Sequence, residues 1–135
     1  MTAAELRERV GGTWTERAGG WWVSLAASRI RGAARAMREG GARFSALVAR
    51  QLTAGELRLS WHWDFNGTLL SAETCLAAGD PAPSITDFYP GADWAERETR
   101  DYYAVSFPER TCTPPLMLRD KDTPGVLLEG EGTRR

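Results

Sequence analysis

Hydrophobic and polar positions alternate most regularly in the middle of the chain. From Glu56 to Phe65 every odd position is apolar and every even position is polar. Such alternation predicts a β-strand with one buried face. Asn66 and Gly67 follow, and both tolerate the positive φ of a two-residue hairpin turn. The expected hairpin pairs Trp63 with Leu70, Trp61 with Ala72, Leu57 with Leu76, His62 with Ser71 and Ser60 with Glu73.

Upstream of the hairpin, apolar residues follow helical spacing in two places. Thr2 and Glu5 predict a capping box for a first helix, which Gly11 ends. Ser28 is predicted to cap a second helix, which ends at Gly40 and buries one stripe made of Ile30, Ala33, Ala34 and Met37. Residues 21–27 and 44–51 are apolar enough to form strands.

Residues 92–107 carry the most unusual pattern. Asp93 is predicted to cap a helix there, with Glu96 closing a second capping box. One helical face then combines an indole, two carboxylates and a valine, at Trp94, Glu98, Asp101 and Val105. This combination favours docking onto a neighbouring protein over an isolated surface helix.

The order of elements indicates the fold class. Helix, strand, helix, three strands and helix predict an α+β two-layer sandwich, with the helices on one face of a small antiparallel or mixed sheet. Ser84 is predicted to cap a short helical turn that ends at Pro90. We expect a single domain over residues 1–128 and a disordered tail over residues 129–135.

Composition excludes several classes of protein. The chain has 135 residues, of which 42% are hydrophobic and 26% charged, as in soluble globular domains. A net charge of -1 gives no overall field that would attract nucleic acid or an anionic membrane. The N-terminus lacks the basic-then-apolar order of a signal peptide, and no apolar run is long enough to span a bilayer. These features predict a cytoplasmic protein.

Few residues suggest chemistry. Cys75 and Cys112 follow no metal-ligand spacing, and an iron–sulfur cluster needs about four thiolates. A disulfide between them is possible, but reduced thiols fit a cytoplasmic protein better. His62 lies on the polar face of its strand, which favours an exposed or interface histidine over a base or ligand. We expect no catalytic, cofactor-binding or metal-binding residue in this chain.

Two alternatives stay open at this point. Glu98 and Asp101, one helical turn apart, are candidates for a general acid/base pair, although an ion-pair network with Arg97 and Arg100 is the simpler interpretation. Trp61 and Trp63 belong to the core, whereas three others are either core or contact residues: Trp14, Trp21 and Trp22. The arginines on the second helix are spread around it, which argues against nucleic-acid binding.

A more specific signal extends over about two dozen residues and reads Pro-Ser-Ile, an acidic residue, Phe, Pro, Ala-x-Trp, Glu-Arg-Glu, Asp and two aromatics. It resembles the signature of the 30-kDa subunit of respiratory complex I (NADH-quinone oxidoreductase, also called NADH dehydrogenase) and of its relatives in group 4 membrane-bound nickel–iron hydrogenases. The matching residues are Pro83, Ser84, Ile85, Asp87, Phe88, Pro90, Ala92, Trp94, Glu96, Arg97, Glu98, Asp101, Tyr102 and Tyr103.

The resemblance implies a scaffold without a cofactor of its own. Such a subunit holds a catalytic large subunit and a small iron–sulfur subunit together, on the cytoplasmic face of the inner membrane. Iron–sulfur clusters, and the quinone site or the nickel–iron centre, are then expected in those partners. The residues implied at the partner interface are Trp94, Glu96, Arg97, Glu98, Asp101 and Tyr102. The alternative is a small stand-alone enzyme that uses Glu98 and Asp101 as general acid and base.

The chain also departs from the family pattern. Ala104 stands where the family usually has glycine, so a positive φ at this position is less comfortable. Residues 108–118 lack the family's Gly-His-Pro, and the long C-terminal tail is missing. These departures favour the hydrogenase-type relatives over complex I itself.

Overall fold

A five-stranded sheet with three α-helices forms the chain. The computed structural model describes residues 1–53, 55–110 and 122–128. The elements are α1 (Ala3–Val10), β1 (Trp14–Arg17), β2 (Gly20–Ser24), α2 (Ala27–Glu39), β3 (Arg43–Thr53), β4 (Glu56–Phe65), β5 (Thr68–Ala77), a short 3-10 helix (Pro90–Ala92) and α3 (Asp93–Tyr103). Within this described part, no helix is long and apolar enough to cross a membrane.

The sheet is mixed and has the order β1-β2-β5-β4-β3. Strand β2 runs parallel to β5, while the other neighbouring strands are antiparallel. Apolar side chains of one sheet face form a single core with the helices, which confirms the predicted α+β two-layer architecture. Polar side chains occupy the opposite face, which we call the outer face.

The central hairpin forms as predicted. Strand β4 has the predicted bounds, and all five predicted pairs with β5 are present. Asn66 and Gly67 have φ of 49° and 88°, as this tight turn requires. Trp61 and Trp63 are fully buried, so a register shift by one residue would expose both indoles.

The first two helices follow their sequence signals with one correction. Thr2 and Glu5 form the predicted capping box, and the predicted stripe of α2 is buried. The prediction that Ser28 caps α2 is wrong, because the helix already begins at Ala27 and Ala26 occupies the cap position without a side-chain hydrogen bond. Gly40 ends α2 as expected.

Two elements at the sheet edge differ from the prediction. Strand β1 was not expected, because its four residues are too few to show a period. Trp14 fixes its position by donating its indole N–H to the carbonyls of Arg7 and Gly11 at the end of α1. Residues 86–88 form a turn, and the short helix begins at Pro90 instead of ending there, because proline suits the first helical position.

The end of α3 is covered by residues 122–128. The carbonyl of Asp101 accepts hydrogen bonds from the backbone N–H of Gly125 at 2.8 Å and of Val126 at 3.3 Å. Leu128 packs against the core. Cys112, residues 116–118 and the predicted tail 129–135 lie outside the described residues.

Ala104 terminates α3 in the left-handed conformation, with φ 58°. We predict that Ala104→Gly stabilises the chain by about 0.5–1 kcal/mol, because glycine adopts this conformation without the steric cost of a β-carbon. Urea unfolding measures the change. Ala95→Gly, in the interior of the same helix, is the control and should destabilise by about 1 kcal/mol. A destabilising effect of Ala104→Gly would contradict this explanation.

Candidate docking surface around α3

Helix α3 follows directly from the short helix Pro90–Ala92, and this affects how it begins. Ala92 occupies the cap position, so the prediction that Asp93 caps the helix with Glu96 in a capping box is wrong. The preceding helical turn leaves no extended residue at the start of α3, and side-chain capping needs one. Both carboxylates bind elsewhere.

Glu96 is fully buried and joins two segments of the chain. Its Oε1 accepts a hydrogen bond from Ser84 Oγ at 2.8 Å, and its Oε2 accepts one from the backbone N–H of Ile85 at 2.8 Å. Arg110 donates to Oε1 at 3.2 Å and also pairs with Asp93. Glu96 therefore fixes residues 84–85 and the turn at Arg110 against α3.

The environment of Glu96 affects its protonation. Burial raises the pKa of its carboxyl, while the hydrogen bonds from Ile85 and Ser84 and the charge of Arg110 oppose that rise. A buried charge of this kind is tolerated because its acceptor sites are occupied.

Asp101 is also fully buried, although it lies on the opposite side of α3 from Glu96. Its carboxylate pairs with Arg100 at 3.1 Å. The polypeptide at residues 122–128 lies over this end of the helix, bonded to the carbonyls of Asp101 and Tyr102. Helical spacing alone did not reveal this, because the covering segment is distant in sequence.

The predicted stripe of Trp94, Glu98, Asp101 and Val105 is thus divided by burial. Trp94 is 68% exposed and Glu98 is exposed, whereas Asp101 and Val105 are buried. The expectation of one uniform face is wrong for this reason. Arg97 and Tyr102 are half-buried, and Arg97 pairs with Asp93 at 3.3 Å.

A groove of about 630 Å³ lies beside Trp94. The 3-10 helix and the start of α3 form one wall, and the start of β3 forms the other. Phe44 and Tyr89 contribute aromatic surface, while Arg38 and Arg43 contribute charge. Tyr89 is anchored because its hydroxyl donates to the carbonyl of Ala42 at 2.7 Å, and burial raises its pKa to about 12.

Exposed apolar side chains continue along the same side of the molecule. Val48 and Leu127 are each about half exposed, and together with Glu98 and Tyr102 they line a smaller cavity of about 190 Å³. We call the surface formed by Trp94, its groove and this second cavity the α3 surface. Its combination of large apolar groups and charges is typical of protein interfaces.

The structure does not bring Glu98 and Asp101 into one site. Glu98 lines the cavity of about 190 Å³, but Asp101 does not, and its carboxylate is paired with Arg100. A shared acid/base site needs both carboxylates within reach of the same substrate. The predicted network with Arg100 is present for Asp101.

The remaining candidate residues lie elsewhere. His62 is half-buried on the outer face, where its Nδ1 lies 2.7 Å from Ser71 Oγ and burial lowers its pKa. Cys75 is a free, exposed thiol. Trp14 and Trp21 pack against α1, whereas Trp22 faces outward against His62.

Comparison with known proteins identifies the family. A sequence model of the family described as respiratory-chain NADH dehydrogenase, 30 Kd subunit, matches residues 23–127. The chain belongs to this family. The match includes every strand from β3 to β5, the whole of α3 and the covering residues up to Leu127.

Curated relatives are named as one and the same subunit of NADH-quinone oxidoreductase. The chain is 35% identical to the protein of Nocardia farcinica over 77 residues, covering 49% of this chain and 30% of the relative. It is 61% identical to the Sinorhizobium medicae protein over 38 residues, covering 28% and 19%. It is 32% identical to the Streptomyces coelicolor protein over 77 residues, covering 49% and 31%. The chain thus spans less than a third of each of these relatives.

In this member of the 30-kDa family, sequence reasoning missed the role of Arg110. The residue lies in a stretch with little periodicity, and its partner Glu96 was assigned to a helix cap. A signal was available in the alternating order of charges, because a glutamate placed on the inward side of α3 requires a cation or several donors. Ser84 was correctly singled out as a bonding residue, but with the wrong partner.

We predict that Glu96 makes stability depend on pH. Because its pKa is raised in the folded state, the folded chain retains this proton at pH values where the unfolded chain has lost it. The free energy of unfolding therefore falls as the pH rises above the ordinary pKa of glutamate, by about 1.4 kcal/mol for a pKa change of one unit.

Urea unfolding of the wild type and of Glu96→Gln over a series of pH values measures this effect. The stability of the wild type minus that of the variant should decrease as the pH rises. Glu98→Gln removes an exposed carboxylate of the same helix and controls for the change in net charge. An increase with pH would show that the ion pair with Arg110 outweighs burial.

Proposed function

We propose that this chain is a non-catalytic assembly subunit of an electron-transfer complex like NADH-quinone oxidoreductase, and that it docks through the α3 surface. The observation that carries the proposal is Trp94, a large indole left 68% exposed beside a groove of about 630 Å³. Family membership supports the proposal, since the matching relatives are named as subunits.

The physical argument begins with the exposed apolar area. Tryptophan, tyrosine and arginine contribute most of the binding energy at many interfaces, especially where they fill a pocket. Trp94 and Tyr102 contribute aromatic surface here, and Arg97 and Glu98 contribute charges of opposite sign. Such charges select a partner because a wrong neighbour leaves them unpaired on desolvation.

Glu96 and Asp101 have a different role in this proposal. Their side chains lie inside the fold, so they hold α3 in place for a partner and do not contact that partner themselves. A helix fixed in this way loses little freedom on binding, which lowers the entropic cost of association. The partner contacts are therefore assigned to Trp94, Arg97, Glu98 and Tyr102.

The proposed partners are a catalytic large subunit and a small iron–sulfur subunit. Iron–sulfur clusters and the quinone site are assigned to those partners, and no cofactor is assigned to this chain. The proposed location is the cytoplasmic face of the inner membrane, with attachment through the complex. The choice between a quinone reductase and a group 4 hydrogenase remains a prediction. A captured large subunit with two cysteine pairs able to bind nickel would indicate a hydrogenase.

Co-purification with a tagged chain tests the docking surface. We predict that Trp94→Ala weakens capture of the large subunit by at least about thirty-fold, the effect of losing a hot-spot side chain worth about 2 kcal/mol. Quantitative mass spectrometry of the captured proteins gives the measurement. Arg9→Ala, on α1 and away from the groove, should leave capture unchanged.

Two results would contradict the proposal. One is a wild-type chain that captures no subunit of an electron-transfer complex. The other is undiminished capture by Trp94→Ala, which would place the contact on another surface. Thermal unfolding of the variant ensures that any loss is not caused by misfolding.

A further inference from the structure

The outer face of the sheet carries a cluster of charges that the α3 surface does not include. Glu73 lies near its centre and is almost fully buried. Its Oε1 is 3.4 Å from Arg17 and 3.2 Å from Ser24 Oγ, and its Oε2 is 3.9 Å from Arg58. One carboxylate thus faces two guanidinium groups.

A third arginine adds to this imbalance. Arg50 lies directly opposite Arg58 in the register of β3 and β4. Like charges in directly opposed positions destabilise a sheet. Within the residues that the structure describes, Arg50 has no carboxylate partner, and Arg58 Nε has no hydrogen bond. Three arginines against one glutamate leave two positive charges uncompensated on this face.

The cluster surrounds a concave site of about 270 Å³. Trp22 and Val48 line it with apolar surface, and Ser60 and His62 line it with polar groups. The Arg17 guanidinium lies 5.0 Å from the ring of Trp22, which orients both side chains. His62 is held by Ser71, and its lowered pKa leaves the arginines as the cations of the site.

We propose that the outer face is a second docking surface, which binds an acidic segment of a partner polypeptide through a carboxylate placed between Arg50 and Arg58. Guanidinium groups bind carboxylates in a bidentate geometry, and the bound carboxylate relieves the repulsion between the two arginines. The apolar walls at Trp22 and Val48 fit the neighbouring side chains of such a segment.

A polypeptide fits this site better than a nucleic acid. Nucleic-acid surfaces extend positive charge along a groove and interleave it with aromatic platforms. Here the positive charge is local, and the chain as a whole has a net charge of -1. The proposal rests on the outer face alone and does not depend on docking through α3.

Titration of the full chain with hexaglutamate tests the proposal. Hexaglutamine serves as the neutral control peptide, and hexathymidylate as the nucleic-acid control. At low salt, hexaglutamate should shift the NMR signals of the Trp22 indole and the His62 ring, and high salt should abolish the shift. Hexaglutamine should cause no shift, and hexathymidylate should bind more weakly than hexaglutamate.

Variants separate a binding role from a structural one. Arg50→Gln and Arg58→Gln should each weaken hexaglutamate binding by at least about fivefold. Arg50→Gln should also raise the melting temperature of the free chain, because it removes the like-charge pair. Arg9→Gln, on α1, should change neither quantity.

Several results would overturn the proposal. They are an absence of shifts at Trp22 and His62, equal binding of hexaglutamine, equal loss of binding in Arg9→Gln, or a lower melting temperature in Arg50→Gln. Tighter binding of hexathymidylate through the same arginines would assign the site to nucleic acid instead.

Discussion

The buried carboxylate of Glu96 is the interaction on which the α3 surface depends. It joins the helix to the loop at Ser84 and Ile85 and to the turn at Arg110. These segments have few apolar side chains of their own, so hydrophobic burial alone would not fix their relative positions. Hydrogen bonds to a single desolvated charge do so directionally, and leaving them unmade is costly. The groove beside Trp94 is consequently a preformed feature of the free chain.

The two faces of α3 have separate physical roles. The side that carries Glu96 and Thr99 is buried, and residues 122–128 cover the end at Asp101. Only the beginning of the helix, at Trp94, and the side with Glu98 remain open to a partner. The acidic–basic signature of the 30-kDa family therefore mixes residues that position the helix with residues able to contact a neighbour.

Sequence patterns predicted the elements whose information is local. The register of β4 and β5 followed from alternation and from the turn at Asn66 and Gly67, because the period of two and the turn geometry act over adjacent residues. Strand β1 and the parallel pairing of β2 with β5 were not predicted. These features depend on contacts between distant segments, such as Trp14 with the end of α1. The candidate site shows the same division, because helical spacing could not reveal which signature residues are buried. Asp101 is covered by a segment more than twenty residues later in the chain, and Glu96 is bonded to Arg110. Neither contact leaves a periodic signal in the sequence.

Hydroxyl-radical footprinting of Trp94 tests the central claim most directly. The free chain and the purified complex are exposed to the same radical dose, and oxidation of Trp94 is compared by mass spectrometry. The exposed Met1 is an internal reference, because it lies outside the α3 surface. We predict that the complex protects Trp94 while Met1 remains equally reactive. Equal oxidation of Trp94 in both states would contradict docking through the α3 surface.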